Sequence, residues 1–575
     1  MKNIMSLVVL GTTFFCFGQK KYVTVFEKGN GNQTATYEQV VDFYKQLDAG
    51  FQSVKMETKG LTDSGQPLHM VVYNQEKDFN FDKLSKSKSV ILINNAIHPG
   101  EPDGVDATMM LFRDLALGKI KAPENVVLVT IPVYNIGGML NRNSTSRTNQ
   151  NGPEEYGFRG NGRNFDLNRD MIKADTKNTK SLIDIFHAVK PDVFIDNHVS
   201  NGADYQYTLT YIQTNPDRLG KELGSYIAEK MSPNLVAALK KKGIDAMHYV
   251  DFNGETPESG LVQFLDSPRY TTGYTSLYNC LGYVVETHMW KPYAQRVKAT
   301  YEFMESAMRF ADVNKEEIKK IKRVASEQFK IGHLYPVKWE LDTSKTKIIT
   351  FLGYEAEHKK SEVTTGNRLY YDRSKPFQKE IKFYSDYKTT AAVRIPKAYV
   401  IPQSWWTVID LLKANHCKFD RIKKDTLISV ESYKIADYKS VTSPYEGHYP
   451  HRNVKIVKSP EKVMFRKGDY IFPVNQEAIK LLLETLEPEA VDSYFNWNFF
   501  DTILQQKEWY SDYLFEDLAG QLLKENPDLQ KELDEKKKAD EKFAGNPAAQ
   551  LEWVHKHSKY YEKAHLQYPV FRIVE

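Results

Sequence analysis

The sequence predicts an α/β protein with a mixed, mostly parallel central sheet and helices on both faces, followed by a smaller β-rich domain and a helical C-terminal region. Between residues 37 and 318, short apolar runs alternate with amphipathic stretches of helical period. The apolar runs show no alternation of apolar and polar residues, so these strands are expected to be buried on both faces. Helices that cover both faces of an open sheet account for both observations.

The elements of the first domain follow from local signals. Thr36 can cap a helix, and the turn-rich residues 63–65 separate the two strands of a hairpin. We predict, in chain order, helix 36–47, strands 54–58, 69–73 and 90–93, helix 104–117, strand 126–131, helix 177–189, strand 193–195, helix 218–231, strand 282–285 and helix 292–312.

The pattern changes after a lysine-rich stretch at residues 315–322, which is interpreted as the exit from this domain. Strand-like alternation then indicates a β-rich domain from about residue 332 to 467, with strands 337–341, 348–351, 383–385, 390–393 and 427–430 and one helix at 404–414. From Asn475 the chain is expected to be helical again. The predicted division is a signal peptide at 1–18, an α/β domain at 19–320, a β-rich accessory domain at 321–470 and a helical region at 471–575.

Length and composition narrow the class of protein. A chain of 575 residues is too long for one ordinary domain, and 41% hydrophobic with 26% charged residues is the balance of a soluble globular protein. The formal net charge of +4 is too small to argue for nucleic acid or an anionic membrane as a partner. Only Cys280 and Cys417 follow the N-terminal segment, so a catalytic metal would need His and carboxylate ligands.

The N-terminal segment is predicted to be a signal peptide. Lys2 precedes an uncharged, mostly apolar run at residues 6–17, and small residues at Cys16 and Gly18 suit a signal peptidase. The run is too short to span a bilayer. Cys16 also permits a lipoprotein interpretation, but two bulky phenylalanines before it argue against lipidation. We therefore expect an exported protein, periplasmic or secreted, with no membrane span; its oligomeric state is not predicted.

Two sequence fragments carry candidate metal ligands. His98 and Glu101 are three residues apart directly after a buried strand, in a turn that Pro99 and Gly100 keep from continuing into a helix. A His-x-x-Glu pair is common by itself, but His198 ends another buried strand, and open α/β sheets build their sites where strands end. Nitrogen and oxygen ligands suit zinc, and a catalytic site needs three of them with one position open.

Asp196, two residues before His198, is a candidate partner that would orient an imidazole. Glu286 ends a third buried strand. Burial of a carboxylate there costs free energy, so its presence indicates a functional role. One such role is that of a general base beside a metal-activated water. His288, two residues further on, is a rival ligand or a chance neighbour.

Arginine and asparagine side chains supply candidate substrate contacts. Arg147 lies in a loop, and Asn168 with Arg169 follows within the segment 164–170. Arginine binds carboxylates through two parallel hydrogen bonds. One arginine near the metal could stabilise the oxyanion of a scissile carbonyl, and a second, with Asn168, could hold a terminal carboxylate.

The order of these residues along the chain resembles the order of motifs in the zinc metallocarboxypeptidases of the carboxypeptidase A/B type. That family has a His-x-x-Glu pair, a later Asn-Arg pair, a third His after a strand, and a Glu near the end of the domain. The resemblance covers about residues 37–312. It implies a mixed eight-stranded sheet, one zinc ion bound by His98, Glu101 and His198, Glu286 as general base, Asn168 and Arg169 as binders of a peptide substrate's terminal carboxylate, and Arg147 as the oxyanion-stabilising arginine.

The sequence departs from the family pattern in two places. Typical members carry an arginine between the first two ligands, where this chain has Pro99-Gly100. Tyr270, Tyr274 and Tyr278 compete for the role of the tyrosine that covers the substrate, and spacing does not choose among them. Arg269 in the same loop is either a determinant of an acidic side chain or an ordinary exposed arginine.

Three functions fit the motifs. The first is a carboxypeptidase that removes C-terminal residues from peptides, including cell-wall peptides. The second is a zinc deacylase of N-acyl amino acids of the aspartoacylase type, which shares the ligand order; export and an accessory domain argue against it. The third is a non-catalytic relative that binds a surface, and Glu286 argues against it because an inactive protein is free to lose its base.

Overall fold

The computed structural model describes residues 22–574, so the predicted signal peptide at residues 1–18 lies outside the described part of the chain. The strands of the first part are β1 (Val54–Leu61), β2 (Pro67–Tyr73), β3 (Ser89–Asn94), β4 (Val126–Ile131), β5 (Val193–Ser200), β6 (Leu209–Gln213), β7 (Ala246–His248), β8 (Leu261–Val262) and β9 (Leu281–His288). Its helices are α1 (Val25–Lys28), α2 (Tyr37–Gly50), α3 (Phe81–Ser87), α4 (Asp103–Ala116), α5 (Ile136–Leu140), α6 (Lys177–Val189), α7 (Pro216–Leu219), α8 (Lys221–Ser225), α9 (Ser232–Lys241), α10 (Thr271–Ser276), α11 (Tyr293–Val313) and α12 (Lys315–Ser326).

Eight of these strands form one mixed sheet in the order β1-β2-β4-β3-β5-β9-β6-β7. The pairs β4–β3, β3–β5, β5–β9 and β6–β7 are parallel, whereas β1–β2, β2–β4 and β9–β6 are antiparallel. The predicted fold class, a mixed and mostly parallel central sheet, is confirmed.

The sheet is buried on both faces, as its apolar strands predict. In β3, Val90 and Leu92 belong to one hydrophobic core, and Ile91 with Ile93 belongs to the core on the opposite face. All four side chains are fully buried. Burial of each such aliphatic side chain contributes about 1.5–3 kcal/mol relative to exposure. Continuous apolar strands are therefore favoured only where helices cover both faces.

The three central parallel strands bring polar residues to one edge of this sheet. Asn94 at the end of β3 pairs with Asp196 in β5, and His198 two residues later pairs with Glu286 in β9. Because parallel strands end on the same side, the turn after β3 reaches the same edge. This register places the predicted metal ligands and the predicted base together.

The second part of the chain is rich in long strands. They are β10 (Leu334–Leu341), β11 (Lys347–Lys360), β12 (Asn367–Tyr384), β13 (Tyr387–Arg394), β14 (Ala398–Ile401), β15 (Asp420–Arg421), β16 (Thr426–Ser440), β17 (His451–Phe465), β18 (Tyr470–Pro473) and β19 (Phe571–Ile573). The helices are α13 (Trp406–Ala414), α14 (Ile479–Leu486), α15 (Asp512–Glu525), α16 (Pro527–Ala539), α17 (Glu541–Ala544) and α18 (Pro547–Lys556). Within residues 22–574, no helix has the length and apolar character that a bilayer crossing requires.

A six-stranded sheet in the order β15-β18-β14-β19-β16-β17 organises this second part. Strand β18 crosses the predicted boundary at residue 470, and β19 from the C-terminal region lies between β14 and β16. A second contact reaches back to the first domain, since Phe383 and Tyr384 of β12 pair in parallel with Leu261 and Val262 of β8. The β-rich region is thus joined to both neighbouring segments.

The observed elements differ from the predicted ones in several places: β6, β14, β17 and β18 are among the strands that are not predicted, and β12 is far longer than the strand predicted at 383–385. Two further differences have a visible local cause. The helix predicted at 218–231 is interrupted, because Gly220 adopts a φ of +87° between α7 and α8. Residues 226–231 form a π-helical turn just before Pro233, which has no backbone N–H for a regular helical bond. Between α14 and α15 the chain forms mainly turns, although a return to helix is predicted from Asn475.

Candidate metal centre and active site

The turn after β3 directs His98 and Glu101 towards His198. The backbone N–H of Glu101 donates to the carbonyl of His98 over 2.8 Å, which closes the turn that Pro99 and Gly100 predict. One ligand atom from each of His98, Glu101 and His198 lies within 4.8 Å of the others, and each side chain is 3% exposed. The structure therefore brings together the three residues predicted to bind metal.

The distances from Glu101 to the two imidazoles fit ligands of a tetrahedral ion. The Nδ1 atoms of His98 and His198 lie 3.3 and 3.2 Å from Oε2 of Glu101. Ligands bound at 2.0–2.2 Å in tetrahedral geometry are separated by about 3.3–3.5 Å. Both imidazoles thus offer Nδ1 at a suitable distance from the Glu101 carboxylate, and one ligand atom of each residue lies within 4.8 Å of the others.

The second nitrogen of each imidazole faces a carboxylate. Nε2 of His98 lies 3.0 Å from Oδ1 of Asp166, and Nε2 of His198 lies 3.1 Å from Oδ2 of Asp196. Asp196 is itself held by hydrogen bonds from Asn94 and from the hydroxyl of Thr271. A carboxylate on Nε2 holds the proton there and leaves Nδ1 free to bind metal. Asp196 lies beside His198, where it is predicted, but the pair is an ion pair by distance and not a hydrogen bond. The contact of Asp166 is not predicted.

The charge state of Glu101 also suits a metal ligand. Burial raises the pKa of its carboxyl, but the positive charge of Arg147 and contacts with His98 and His198 outweigh burial and hold the pKa well below its usual range. The carboxylate is therefore ionised at neutral pH, as metal binding requires.

Glu286 occupies the same cavity as the three ligands. This cavity has a volume of about 300 Å³, and its lining includes His98, Glu101, His198 and Glu286. Burial and the negative charge of Glu101 raise the pKa of the Glu286 carboxyl to about 7, against the opposing charge of His198. A carboxylate with a raised pKa beside candidate metal ligands is suited to accept a proton.

Arg147 reaches the cluster, but other groups already engage its guanidinium. Its Nη1 donates to Oε1 of Glu101 over 2.7 Å, and its Nη2 donates to the carbonyl of Val199 over 3.2 Å. Only 15% of the side chain is exposed. In this arrangement, Arg147 orients Glu101.

Arg159 is a site residue that sequence reasoning missed. Its side chain lines the cavity, is 45% exposed, and donates to Oδ2 of Asp166 over 2.9 Å. One guanidinium nitrogen lies 3.5 Å from Oε1 of Glu101. The sequence holds one weak signal for it, since Arg159 precedes Asp166 by seven residues in the segment that leads to Asn168 and Arg169.

Asn168 and Arg169 lie on a short 3₁₀ turn, Leu167–Arg169, at the rim of the cavity. Asp166 caps the turn by accepting from the backbone N–H of Asn168 over 2.9 Å. The guanidinium of Arg169 lies 4.7 Å from the ring centre of Tyr270. Both predicted carboxylate binders therefore line the same cavity as the three candidate metal ligands.

The structure separates the three candidate tyrosines. Tyr274 and Tyr278 are buried and donate to the side chain and backbone of Asn415, over 2.8 and 3.0 Å. Tyr270 lines the cavity, as does Tyr249, which sequence reasoning missed because it lies beyond the predicted loop.

Two other side chains have partners away from the cluster. Nε2 of His288 lies 3.0 Å from the carbonyl oxygen of Ala203, and its Nδ1 accepts from the backbone N–H of Trp290 over 3.1 Å, so both ring nitrogens have partners outside the cluster. Arg269 is largely buried and pairs with Asp492 at 2.6 Å. Neither of the two predictions for Arg269, acid recognition or simple exposure, describes this contact.

Comparisons with known proteins extend the similarity beyond the site. No family model matches the chain. Carboxypeptidase 2 of Trichophyton tonsurans is 21% identical over 451 residues, which cover 74% of this chain and 76% of the relative. Carboxypeptidase 2 of Trichophyton rubrum is 22% identical over 455 residues, again covering 74% and 76%. The solved structure of carboxypeptidase A from Helicoverpa armigera is similar at 14% identity and a TM-score of 0.38, covering 50% of this chain and 75% of that one.

Three observations support the resemblance that the order of the motifs indicates: the sequence relatives, the central sheet and the cluster of candidate ligands at its edge. The relatives extend over 74% of the chain, more than the range over which the motifs occur. The resemblance of this chain to the zinc carboxypeptidase-like family is therefore confirmed.

Proposed function

We propose that this chain is an exported, zinc-dependent metallocarboxypeptidase that hydrolyses the last peptide bond of peptide substrates. The observation that carries the proposal is the convergence of the Nδ1 atoms of His98 and His198 on one carboxylate oxygen of Glu101, 3.2–3.3 Å away, in a cavity that Glu286 also lines. Export rests on the apolar N-terminal segment alone.

The metal would be one zinc ion held by His98, Glu101 and His198. Their mixed nitrogen and oxygen donors and their 3.2–3.3 Å separations support zinc. Bound there, zinc supplies a Lewis acid that polarises a carbonyl and acidifies water. Asp166 orients the imidazole of His98, and Arg147 orients the Glu101 carboxylate. Asp196, 3.1 Å from Nε2 of His198, would pair with the second imidazole.

Glu286 would act as the general base. Its carboxylate accepts the proton of the attacking water and then delivers it to the departing amine. Both transfers require a group whose pKa lies near the working pH, and the raised pKa of Glu286 meets that requirement. The proton stays in the cavity throughout the reaction.

Asn168 and Arg169 would bind the free carboxylate of the substrate. The fork of the Arg169 guanidinium matches a carboxylate, and the ring of Tyr270 supports it from one side. A terminal carboxylate held at the rim fixes which peptide bond lies beside the metal. The cavity wall also includes the uncharged side chains of Ile212, Phe264 and Val284, which favour an uncharged C-terminal residue.

The first test combines metal analysis with peptides that have free or amidated C-termini. We expect one zinc per chain and release of a single C-terminal residue from free peptides, followed by mass spectrometry. Amidation should lower kcat/KM by at least about tenfold, because it removes a charge-assisted hydrogen bond of about 1.5–3 kcal/mol. Equal cleavage of both peptide series would contradict a carboxylate clamp, and hydrolysis restricted to N-acyl amino acids would indicate a deacylase.

A second test separates the two arginines near the metal. Arg159→Ala is expected to lower kcat by about 10²-fold while zinc is retained, because its partly exposed guanidinium is available to a developing oxyanion. Arg147→Ala should weaken zinc binding instead, because Arg147 is hydrogen-bonded to Glu101. Steady-state kinetics and zinc titration of both variants check the assignment. Loss of kcat in Arg147→Ala and loss of zinc in Arg159→Ala would instead assign oxyanion stabilisation to Arg147, as the family resemblance implies.

A further inference from the structure

The turn that joins β16 and β17 lies against the first domain, close to the candidate site. We call residues 445–448 the 445–448 turn. The backbone N–H of Tyr445 donates to the carbonyl of His448 over 2.8 Å, and Gly447 has a φ of +78°. A Cβ atom at Gly447 would lie 3.2 Å from the ring of Phe165, so the turn packs closely on the segment that precedes Asn168.

Two side chains of this turn bind that segment. Oε2 of Glu446 accepts a hydrogen bond from the backbone N–H of Asp166 over 2.9 Å. Nε2 of His448 lies 2.8 Å from Oδ2 of Asp175. Glu446 and Asp166 are 280 residues apart in sequence, so their contact links the accessory region to the site.

Asp166 is the residue on which several contacts of the site converge. Its carboxylate lies 3.0 Å from Nε2 of His98, accepts from the backbone N–H of Asn168, and pairs with Arg159 at 2.9 Å. A displacement of Asp166 would therefore alter both a metal ligand and the start of the turn that carries Arg169.

The segment around Asp166 has little regular structure to hold it. Between α5 and α6, residues 141–176 contain only the 3₁₀ turn Leu167–Arg169 and an isolated bridge between Asn143 and Tyr156. Residues on loops need support from neighbouring groups to keep a catalytic geometry within about 0.5 Å. The hydrogen bond from Asp166 to Glu446 supplies such support from outside the first domain.

We propose that Glu446 is a positioning residue that holds Asp166, and through it the orientation of His98 and the placement of Asn168 and Arg169. The accessory region then completes the site of the first domain. The part of this inference that concerns the substrate's carboxylate rests on the proposed function; the part that concerns His98 does not.

The test compares Glu446→Ala with Glu446→Gln in the full-length chain. The alanine variant loses the acceptor for Asp166, so we expect KM for free peptides to rise about three- to tenfold and zinc affinity to fall by a similar factor. This is less than the 10–100-fold typical of removing a direct partner of a ligand. The glutamine variant keeps a carbonyl acceptor, so its KM and zinc affinity should lie close to the wild-type values. In both variants kcat should change less than KM.

His448→Ala is the matched control, because it removes a contact of the same turn that does not involve Asp166. It should change KM and zinc affinity by less than twofold, and thermal unfolding should show that all three variants are folded. Equal losses in Glu446→Ala and His448→Ala, or no rescue by glutamine, would overturn the positioning role.

Zinc affinity, measured by competition with a chelator, does not depend on turnover. A wild-type protein that releases no C-terminal residue would refute the proposed function, and the zinc affinities of the same variants would still decide whether Glu446 positions Asp166. Wild-type zinc affinity and KM in Glu446→Ala would refute the inference even if the peptidase activity is confirmed.

Discussion

Glu286→Gln is expected to retain zinc and to lower kcat by about 10²- to 10⁴-fold, the range for removal of a positioned base. The amide has the shape of the carboxylate but cannot accept the water proton. Glu286 is not one of the three candidate ligands, so its replacement leaves the ligand set intact. Steady-state kinetics on a free peptide and zinc analysis of the same preparation check both parts.

The pH profile gives a second readout of the same variant. A base must be deprotonated, so kcat/KM should fall as pH drops below the pKa of Glu286. That pKa is raised to about 7, and the positive charge of bound zinc lowers it, so the acid limb should lie at or below about pH 7. Residual activity of the glutamine variant should lack this acid limb.

Glu38→Gln, an exposed position in α2, is the control for a generic loss of a carboxylate. Near-normal turnover in Glu286→Gln would remove Glu286 from the mechanism.

His198→Ala should release the metal and with it all measurable hydrolysis. His198 supplies one of three ligand atoms, so its loss should weaken zinc binding by more than about 100-fold, beyond the range for an outer partner. Zinc content after dialysis against a weak chelator measures the effect. His288→Ala is the matched control, because this buried histidine follows Glu286 by two residues but contacts Ala203. Retained zinc in His198→Ala, or equal loss in His288→Ala, would place the metal elsewhere.

The cluster of candidate ligands was predictable because the ends of apolar runs are visible in sequence, although β5 and β9 continue past these ends to Ser200 and His288. His198 and Glu286 each close an apolar run, and parallel pairing brings such ends to one edge of a sheet. His98 and Glu101 follow a third run directly. The fold class places such ends at one edge, and the resemblance to the carboxypeptidases implied that these ends lie together; the strand order β3-β5-β9 that joins them comes from the structure.

The groups around the cluster were not predictable in the same way. Arg159 belongs to an irregular loop, and nothing in its local sequence distinguishes it from a surface arginine. Glu446 contacts Asp166 across 280 residues, a pairing that no periodicity encodes. The strands β6 and β19 were missed because short segments give weak periodic signals, and their place is decided by the sheets they join.

The position of β19 bears on how the accessory sheet is assembled. Residues 571–573 fill the gap between β14 and β16, so this sheet stays split until synthesis has reached that point. Until then, two unpaired strand edges are exposed, and such edges readily recruit other chains. Clipping of these few residues by a protease should therefore promote aggregation far more than loss of a surface segment of equal length. Since β16 also leads into the 445–448 turn, nascent chains should gain a complete site only late in folding.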